Sequence, residues 1–323
     1  MMTGKELRIV FMGTPDFAVA SLKQLVENGY NVVGVITAPD RPAGRGKQVT
    51  ESAVKKYAVE KGLKTLQPEK LKNPEFLEEL RALKADLQVV VAFRMLPEVV
   101  WNMPRLGTFN LHGSLLPQYR GAAPLNWAII NGETKTGVTT FLLDHEIDTG
   151  KILFKKEIDI WENDTVGSIH DALMDIGGKL VTETVDALAE GNVNAISQQS
   201  LVDEDQIQHA PKIFKEDCKI DWTSNTESIR NLIRGLSPYP TAWSTLVHKT
   251  NGQEISTKIF FAMHADGKTG VPGTTESDGK YYIKVACGDG WLQITDLQIA
   301  GKKRMKADEF LRGFQQISEY RFQ

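Results

Sequence analysis

The segment Asn110-Leu111-His112-Gly113-Ser114-Leu115-Leu116-Pro117 holds the densest set of groups able to do chemistry. It closes an apolar run over 107–111 that reads as a strand. Asn110 and His112 stand two positions apart, so on an extended strand both side chains leave the same face, while Leu111 turns away into packing. An amide NH₂ and an imidazole can then converge on one small acceptor atom, such as an oxygen gaining negative charge. Either residue alone reads equally well as a turn cap or a satisfied core histidine. The pair at a strand end, followed by Gly-Ser and a proline-stiffened loop, reads as a site, because ligands of α/β sheets bind beyond the carboxyl ends of the strands. A second element is Asp144-His145-Glu146-Ile147-Asp148-Thr149-Gly150, between two expected strands. Asp148 can orient a histidine from a neighbouring strand or lend it charge. His145 reads as exposed loop without a role, and a lone Asp-Thr-Gly in this setting does not support an aspartic protease.

The elements that must position these residues follow from the hydrophobic pattern. An apolar run over 7–12 ends at Gly13-Thr14-Pro15, and a helical pattern covers 16–27. Strand signals recur over 31–37 and 86–92, with helical stretches at 53–61 and 74–84. This alternation predicts an α/β fold whose catalytic domain is a Rossmann-like, mostly parallel sheet with crossover helices. The G-x-G-x-x-G fingerprint is missing, so the fold class does not imply a dinucleotide. Strands over 138–143 and 151–158 and a helix over 165–189 follow. Asp203-Glu204-Asp205-Gln206, in a polar stretch that ends at Pro211, reads as a linker. Beyond it, strands at 242–247, 255–263, 281–287 and 291–297, with a tight-turn signal at Asp289-Gly290, suit a small OB-like β-barrel. The expected division is a catalytic domain over 1–202, a linker over 203–211 and a C-terminal domain over 212–323.

Bulk properties bound the function classes. A chain of 323 residues with 41% hydrophobic and 24% charged residues suits two globular domains, not disorder. No apolar run approaches the roughly 20 residues needed to span a bilayer, and the N-terminus carries no signal-peptide pattern. Cys218 and Cys287 are the only cysteines and show no CxxC spacing, which argues against a disulfide framework or zinc knuckle and for the cytoplasm. Both read as small buried hydrophobes. The net charge of −3 conceals an asymmetry: from residue 207 onward, 16 Lys and Arg face 13 Asp and Glu. The remainder holds 22 against 28, so an acidic catalytic part precedes a mildly basic one, compatible with a nucleic-acid partner.

Several motifs are recognisable together. The run 110–117 is followed by Tyr119-Arg120-Gly121-Ala122-Ala123-Pro124 and by Ile147-Asp148-Thr149-Gly150. Gly13-Thr14-Pro15-Asp16-Phe17 and Ala38-Pro39-Asp40-Arg41-Pro42-Ala43-Gly44-Arg45-Gly46-Lys47 precede them. Ile220-Asp221-Trp222, Pro238-Tyr239-Pro240, Ala242-Trp243 and Ala300-Gly301-Lys302-Lys303-Arg304-Met305 lie further on. On these the chain resembles the folate-dependent formyltransferases along essentially its whole length, and within them the methionyl-tRNA formyltransferases. The Asn…His…Asp signature alone marks only the superfamily; the basic Pro/Gly loop and the C-terminal markers narrow it. The sequence departs from the pattern at Ala92-Phe93-Arg94-Met95-Leu96-Pro97, where many members have a Tyr-Gly pair and one more residue. Ile147 stands where leucine is usual, a volume-neutral change.

The resemblance implies formyl transfer from 10-formyltetrahydrofolate to the amine of initiator methionyl-tRNA, by direct attack and without a metal. It implies that Asn110 and protonated His112 stabilise the developing oxyanion, and that Asp148 holds the imidazole and helps relay a proton to N10. Ser114, Leu115, Leu116 and Pro117 are expected at the folate site, with Phe93 and Leu96 nearby. Arg41, Arg45 and Lys47, on a loop over 41–47 expected to be mobile, are expected to meet the tRNA acceptor stem. Lys302, Lys303, Arg304 and Lys306 form the expected tRNA patch of the C-terminal domain. The enzyme is expected to be a cytoplasmic monomer with no membrane partner. Two alternatives stay open: a formyltransferase acting on a small amine, such as glycinamide ribonucleotide or a nucleotide amino-sugar, and a non-catalytic nucleotide- or RNA-binding protein on the same fold.

Overall fold

The computed structural model describes residues 3–43 and 48–323. In chain order the elements to the middle of the chain are β1 (Ile9–Gly13), α1 (Asp16–Glu27), β2 (Val32–Ile36), β3 (Arg41–Ala43), β4 (Gln48–Thr50), α2 (Ala53–Glu60), β5 (Thr65–Leu66), α3 (Pro74–Ala82), β6 (Leu87–Val91), α4 (Glu98–Trp101), β7 (Thr108–His112), β8 (Arg120–Gly121), α5 (Pro124–Ile130), β9 (Lys135–Leu142), β10 (Ile152–Asp159) and α6 (Val166–Glu190). They are followed by β11 (His209–Ala210), α7 (Thr226–Gly235), β12 (Ala242–His248), β13 (Glu254–Ala265), β14 (Thr275–Ser277), β15 (Ile283–Ala286), β16 (Trp291–Ile299), β17 (Met305–Lys306), α8 (Ala307–Gly313) and β18 (Tyr320–Phe322). The chain packs into two compact units that are not contiguous in sequence. One gathers Met1–Gly121, Thr136–Ile158 and His170–His209; the other gathers Ala122–Lys135, Asp159–Ile169 and Ala210–Gln323.

The first unit is built on a sheet in the order β10-β9-β7-β6-β1-β2-β5. The pairs β1/β2, β1/β6, β2/β5 and β6/β7 are parallel, and β7/β9 is antiparallel. β1 and β6 are buried along their whole length, as strands covered on both faces must be, and the one polar side chain of β6, Gln88, accepts from the Thr108 hydroxyl at 3.0 Å. Helix α1 buries Phe17, Ala18, Ser21, Leu22 and Leu25, the single stripe that a 3.6-residue period provides. Helix α3 starts where Asn73 accepts from the Glu75 amide and Pro74 takes the first turn, and it presses Phe76, Leu77 and Leu80 onto the sheet. The parallel register sets Gly13 beside Val91 and Val91 beside Leu111. The turns that follow β1, β6 and β7 therefore emerge at one edge, the edge where α/β sheets bind ligands.

Residues 41–47 were expected to form a loop; Arg41–Ala43 instead pairs antiparallel with Gln48–Thr50, with Arg41 opposite Thr50. Gly44, Arg45, Gly46 and Lys47 lie outside the described residues.

The second unit carries an antiparallel sheet in the order β14-β15-β16-β13-β12-β18, with β17 on β16. Its two edges nearly meet. Thr274 bridges Arg321, the Phe322 amide donates to the Gly273 carbonyl at 2.8 Å, and the Thr275 hydroxyl donates to the Tyr320 carbonyl at 2.6 Å. Register shifts between Ile259 and Ala262 bend β13, the usual device for curling a sheet. The barrel that the strand spacing predicts is therefore present. Three helices that the sequence pattern left undetected, α5, α7 and α8, belong to this unit. α7 starts at an Asn225 cap and buries Ile229 and Ile233, while Asn126 of α5 donates to the Gly235 carbonyl at 2.8 Å. Among the described residues, no helix is long and apolar enough to cross a membrane.

Candidate active site

His112 ends β7 in the first unit and is 6% exposed. Its Nε2 lies 2.9 Å from the Tyr119 carbonyl oxygen. A carbonyl can only accept, so Nε2 carries the proton of the neutral ring and Nδ1 is left for chemistry. Asp148 Oδ2 stands 3.9 Å from that Nδ1, beyond direct hydrogen-bond length but close enough to act on its charge. The Phe141 ring meets the imidazole edge-on at 6.4 Å and walls one side of it. Asn110, two residues earlier, lies on the same face of β7, opposite Phe141 of β9. Among the described residues no hydrogen bond engages its side-chain amide. The structure thus brings together the three residues that the motifs single out.

The backbone around them is held in an unusual conformation. Tyr119 and Asp148 have positive φ, 61° and 58°, as does Ala92 at 45° after β6. Such conformations cost energy in non-glycine residues and persist only where their surroundings over-determine them. For Asp148 those surroundings are explicit. Its Oδ2 accepts from the Gly121 amide at 3.0 Å, and its carbonyl accepts from Gln198 Nε2 at 2.8 Å. Gln198, 1% exposed, also donates to the Gly150 carbonyl at 2.8 Å, and its Oε1 accepts from Arg120 Nε at 3.1 Å. Arg120 in turn pairs with Glu204 at 2.9 Å. Gly150 admits no side chain, because a Cβ there falls 1.7 Å from the Leu142 carbonyl oxygen. Gln198 was not legible as a site residue: it acts from 50 residues along the chain, and no local pattern marks a glutamine that bonds two carbonyls. Arg120 stood in the recognised run 119–124, but without a role.

The turn 113–118 is closed from inside. The Ser114 hydroxyl donates to the Gln118 carbonyl at 2.7 Å, and the Thr139 hydroxyl donates to the Ser114 carbonyl at 2.6 Å. Thr139 also accepts from the Leu116 amide at 3.1 Å and sits opposite His112 across the β7/β9 ladder. Ser114 and Leu116 are wholly buried, the latter in a cluster with Phe141 and Ile152, and Pro117 is buried as well. Leu115 is half-buried. Of the residues expected at a ligand after β6, Leu96 is 8% exposed and Phe93 packs against the same core, whereas Met95 is exposed. Among the described residues, no group of three or more His, Cys, Asp or Glu is placed to hold a metal ion.

An acceptor-fixed histidine, a carboxylate facing its other nitrogen and an unengaged amide on the same strand face suit transfer of an acyl-type group to an amine. Residues 7–185 match the formyl transferase family model, and residues 212–315 match that of the formyl transferase C-terminal domain. A methionyl-tRNA formyltransferase of Parabacteroides distasonis is 59% identical over 99% of both chains. One of Bacteroides thetaiotaomicron is 58% identical over 99% of both, and one of Flavobacterium johnsoniae 53% identical over 96% of both. The chain belongs to the methionyl-tRNA formyltransferase family. Solved structures share its fold at lower identity. HypX from Aquifex aeolicus in complex with tetrahydrofolic acid is 20% identical with a TM-score of 0.63, over 94% of this chain and 47% of that one. An N-formyltransferase from Helicobacter canadensis in complex with folinic acid and dTDP-3-aminofucose is 22% identical with a TM-score of 0.65, over 89% of this chain and 98% of that one.

This member of the methionyl-tRNA formyltransferase family carries Arg94 in the segment that departs from the common pattern. Its guanidinium donates to the Glu69 carbonyl at 2.8 Å and to that of Pro68. Burial and the charge of Arg41 both pull its pKa down. Of the cations expected to meet tRNA, Arg41 is exposed at the start of β3, and Arg45 and Lys47 lie outside the described residues. Lys303 pairs with Glu309 at 2.9 Å. Arg304 and Lys306 both pair with buried Asp296, at 2.7 and 3.1 Å. The second unit has other exposed cations in a different setting: Lys215 and Lys219 stand 5.6 and 5.8 Å from the Trp243 ring centre, and Lys212 stands 5.3 Å from that of Phe214.

Proposed function

We propose that this enzyme takes its formyl group from 10-formyltetrahydrofolate and passes it to the amine of initiator methionyl-tRNA, at a site made by Asn110, His112 and Asp148. The observation that carries the site assignment is the fixed imidazole: Nε2 donates to the Tyr119 carbonyl, and Nδ1 remains on the side of Asp148. The neutral methionyl amine attacks the formyl carbon, forming the new C–N bond while the carbonyl electrons move to oxygen. The unengaged Asn110 NH₂ donates to that oxygen. His112 Nδ1 accepts the proton that the attacking nitrogen must lose; once protonated, the ring stabilises the oxyanion beside Asn110, and Asp148 balances the charge. The same proton leaves on N10 of the folate as the old C–N bond breaks and the carbonyl re-forms. A formyl-serine intermediate is disfavoured, because the buried Ser114 hydroxyl is committed to the Gln118 carbonyl.

The turn 113–118 contributes its backbone and its rigidity to the folate site, since the Ser114, Leu116 and Pro117 side chains face inward. Leu115, Phe93 and Leu96 are the side chains assigned there. Residues 1–202 carry the chemistry and 212–323 the RNA affinity, joined by 203–211. Arg41, Arg45 and Lys47 are assigned to tRNA in the first part. In the second, Lys302, Lys303, Arg304 and Lys306 remain assigned, but the exposed Lys212, Lys215 and Lys219 beside aromatic rings are stronger candidates for phosphate and base contact. The work is done in the cytoplasm.

Steady-state formylation of charged initiator tRNA by His112→Ala tests the site. Turnover should fall by about 10²–10⁴, with substrate KM values little changed. Near-normal turnover removes His112 from the mechanism.

A further inference from the structure

We propose that Lys55 is a positioning residue for the tRNA substrate: it clamps both feet of the β3/β4 hairpin and so holds Arg41 where the acceptor end arrives. The proposal rests on the reading of this hairpin as a tRNA contact. Asp40 immediately precedes β3 and Glu51 immediately follows β4. Both carboxylates converge on one ammonium. Lys55 Nζ pairs with Asp40 Oδ2, and with Glu51 Oε1 at 2.8 Å. The Lys55 side chain is only 16% exposed, so its charge faces its two partners and not bulk water.

The clamp is itself anchored. Lys55 lies in the first turn of α2, and its amide donates to the Ser52 hydroxyl at 3.0 Å. That hydroxyl lies 2.7 Å from the Thr37 hydroxyl, just past β2 of the sheet. The other oxygen of Asp40 accepts from Gln67 Nε2 at 2.8 Å, and the same amide group donates to the Ala38 carbonyl at 2.9 Å. The hydrogen bonds from Lys55 and Gln67 hold the Asp40 carboxyl below its usual range, and those to Asp40 and Glu51 push the Lys55 pKa up. Each foot of the hairpin is thus fixed to the sheet through a side chain. Asp40 is the residue before Arg41, so the clamp sets the direction in which Arg41 leaves the sheet.

A two-strand ribbon of three residues per strand has too little pairing to hold its own orientation. Without the clamp the hairpin spreads over several orientations, of which few present Arg41 correctly. If the competent fraction falls to about a tenth, apparent tRNA affinity falls about tenfold, with no change in the chemical step. Among the described residues, no hydrogen bond or ion pair links the catalytic trio or the 113–118 turn to Lys55 or Asp40.

The test is steady-state formylation by the full chain carrying Lys55→Met, Lys55→Arg, Asp40→Asn, the Lys55→Met/Asp40→Asn double variant or Arg41→Ala. For Lys55→Met the KM for methionyl-tRNA should rise about 5- to 20-fold, with kcat and the folate KM within about twofold of wild type. Lys55→Arg should recover most of the loss, and Asp40→Asn should raise the tRNA KM to a similar degree. The double variant should be no worse than either single, since both break one contact. If Lys55 instead touches RNA phosphate directly, Asp40→Asn frees its charge and lowers the tRNA KM, which overturns the clamp. A raised tRNA KM in Arg41→Ala beside a silent Lys55→Met overturns the clamp alone. A silent Arg41→Ala overturns the hairpin reading and the clamp with it. If Lys55→Met does not fold, judged by circular dichroism, Glu51→Gln at the more exposed foot serves in its place and should raise the tRNA KM about threefold; no change there overturns the proposal.

Discussion

At the scale of single residues, spacing of two along a strand is information that the sequence carries openly. Asn110 and His112 share a face because β7 is extended over both, and Asp148 is close because β9 and β10 bracket its loop beside β7. What the sequence hides is which nitrogen of the imidazole faces the site. That choice depends on a carbonyl at Tyr119, set by a backbone conformation rather than a residue type. It hides equally the role of Gln198, which supports the Asp148 loop from 50 residues away. Two outcomes follow. Asn110→Asp puts an anion against a developing anion, so turnover should fall at least about 10²-fold, with Asn110→Ala no worse. Equal activity for Asn110→Asp and wild type refutes oxyanion donation. Gln198→Leu removes the donors to two loop carbonyls and should lower kcat about 10- to 100-fold by displacing Asp148, with thermal stability changed much less than activity. Unchanged kcat would mean that Asp148 needs no such support.

At the scale of elements, the long periodic segments were readable and the short ones were not. The 12-residue α1 and the longer strands of both sheets follow from periodicity, whereas α5, with seven residues, and the two- and three-residue strands β3, β4, β5, β14 and β18 are fixed by contacts made elsewhere. α7 left a trace that could have been found: an Asn225 cap ahead of Ile229 and Ile233 at helical spacing. The basic run near residue 304 illustrates the limit of reading charge from sequence. Burial pushes the Asp296 carboxyl up, but hydrogen bonds from Arg304 and Lys306 outweigh it and hold the group below its usual value. A carboxyl depressed in the folded state contributes stability that is fully present above its unfolded pKa and is lost as pH falls through its folded value. Asp296→Asn should therefore cost about 2 kcal/mol at pH 7, the pair being buried on one side and half open on the other. The difference from wild type should vanish toward strongly acid pH, measured by denaturant unfolding. For RNA, Lys215→Ala/Lys219→Ala should flatten the salt dependence of tRNA binding by about two units of slope if both meet phosphates. A larger flattening from Lys302→Ala/Lys303→Ala returns the footprint to the 302–306 turn.

At the scale of the whole molecule, the division of charge between an acidic early part and a mildly basic late part was legible by counting, and so was the change from alternating helix and strand to closely spaced strands. The way the chain is shared between compact units was not, because short stretches such as 122–135 and 159–169 belong with the C-terminal strands through packing alone. We propose that the site on β7 serves the amine of a charged initiator tRNA, delivered by RNA contacts on both parts of the chain. The most direct measurement is a formylation assay with 10-formyltetrahydrofolate, run in parallel on initiator methionyl-tRNA, glycinamide ribonucleotide and a nucleotide amino-sugar. The expected result is efficient formylation of the charged tRNA alone, lowered about 10²–10⁴-fold by His112→Ala. Preferential formylation of either small amine, or tRNA formylation that His112→Ala leaves intact, would contradict it.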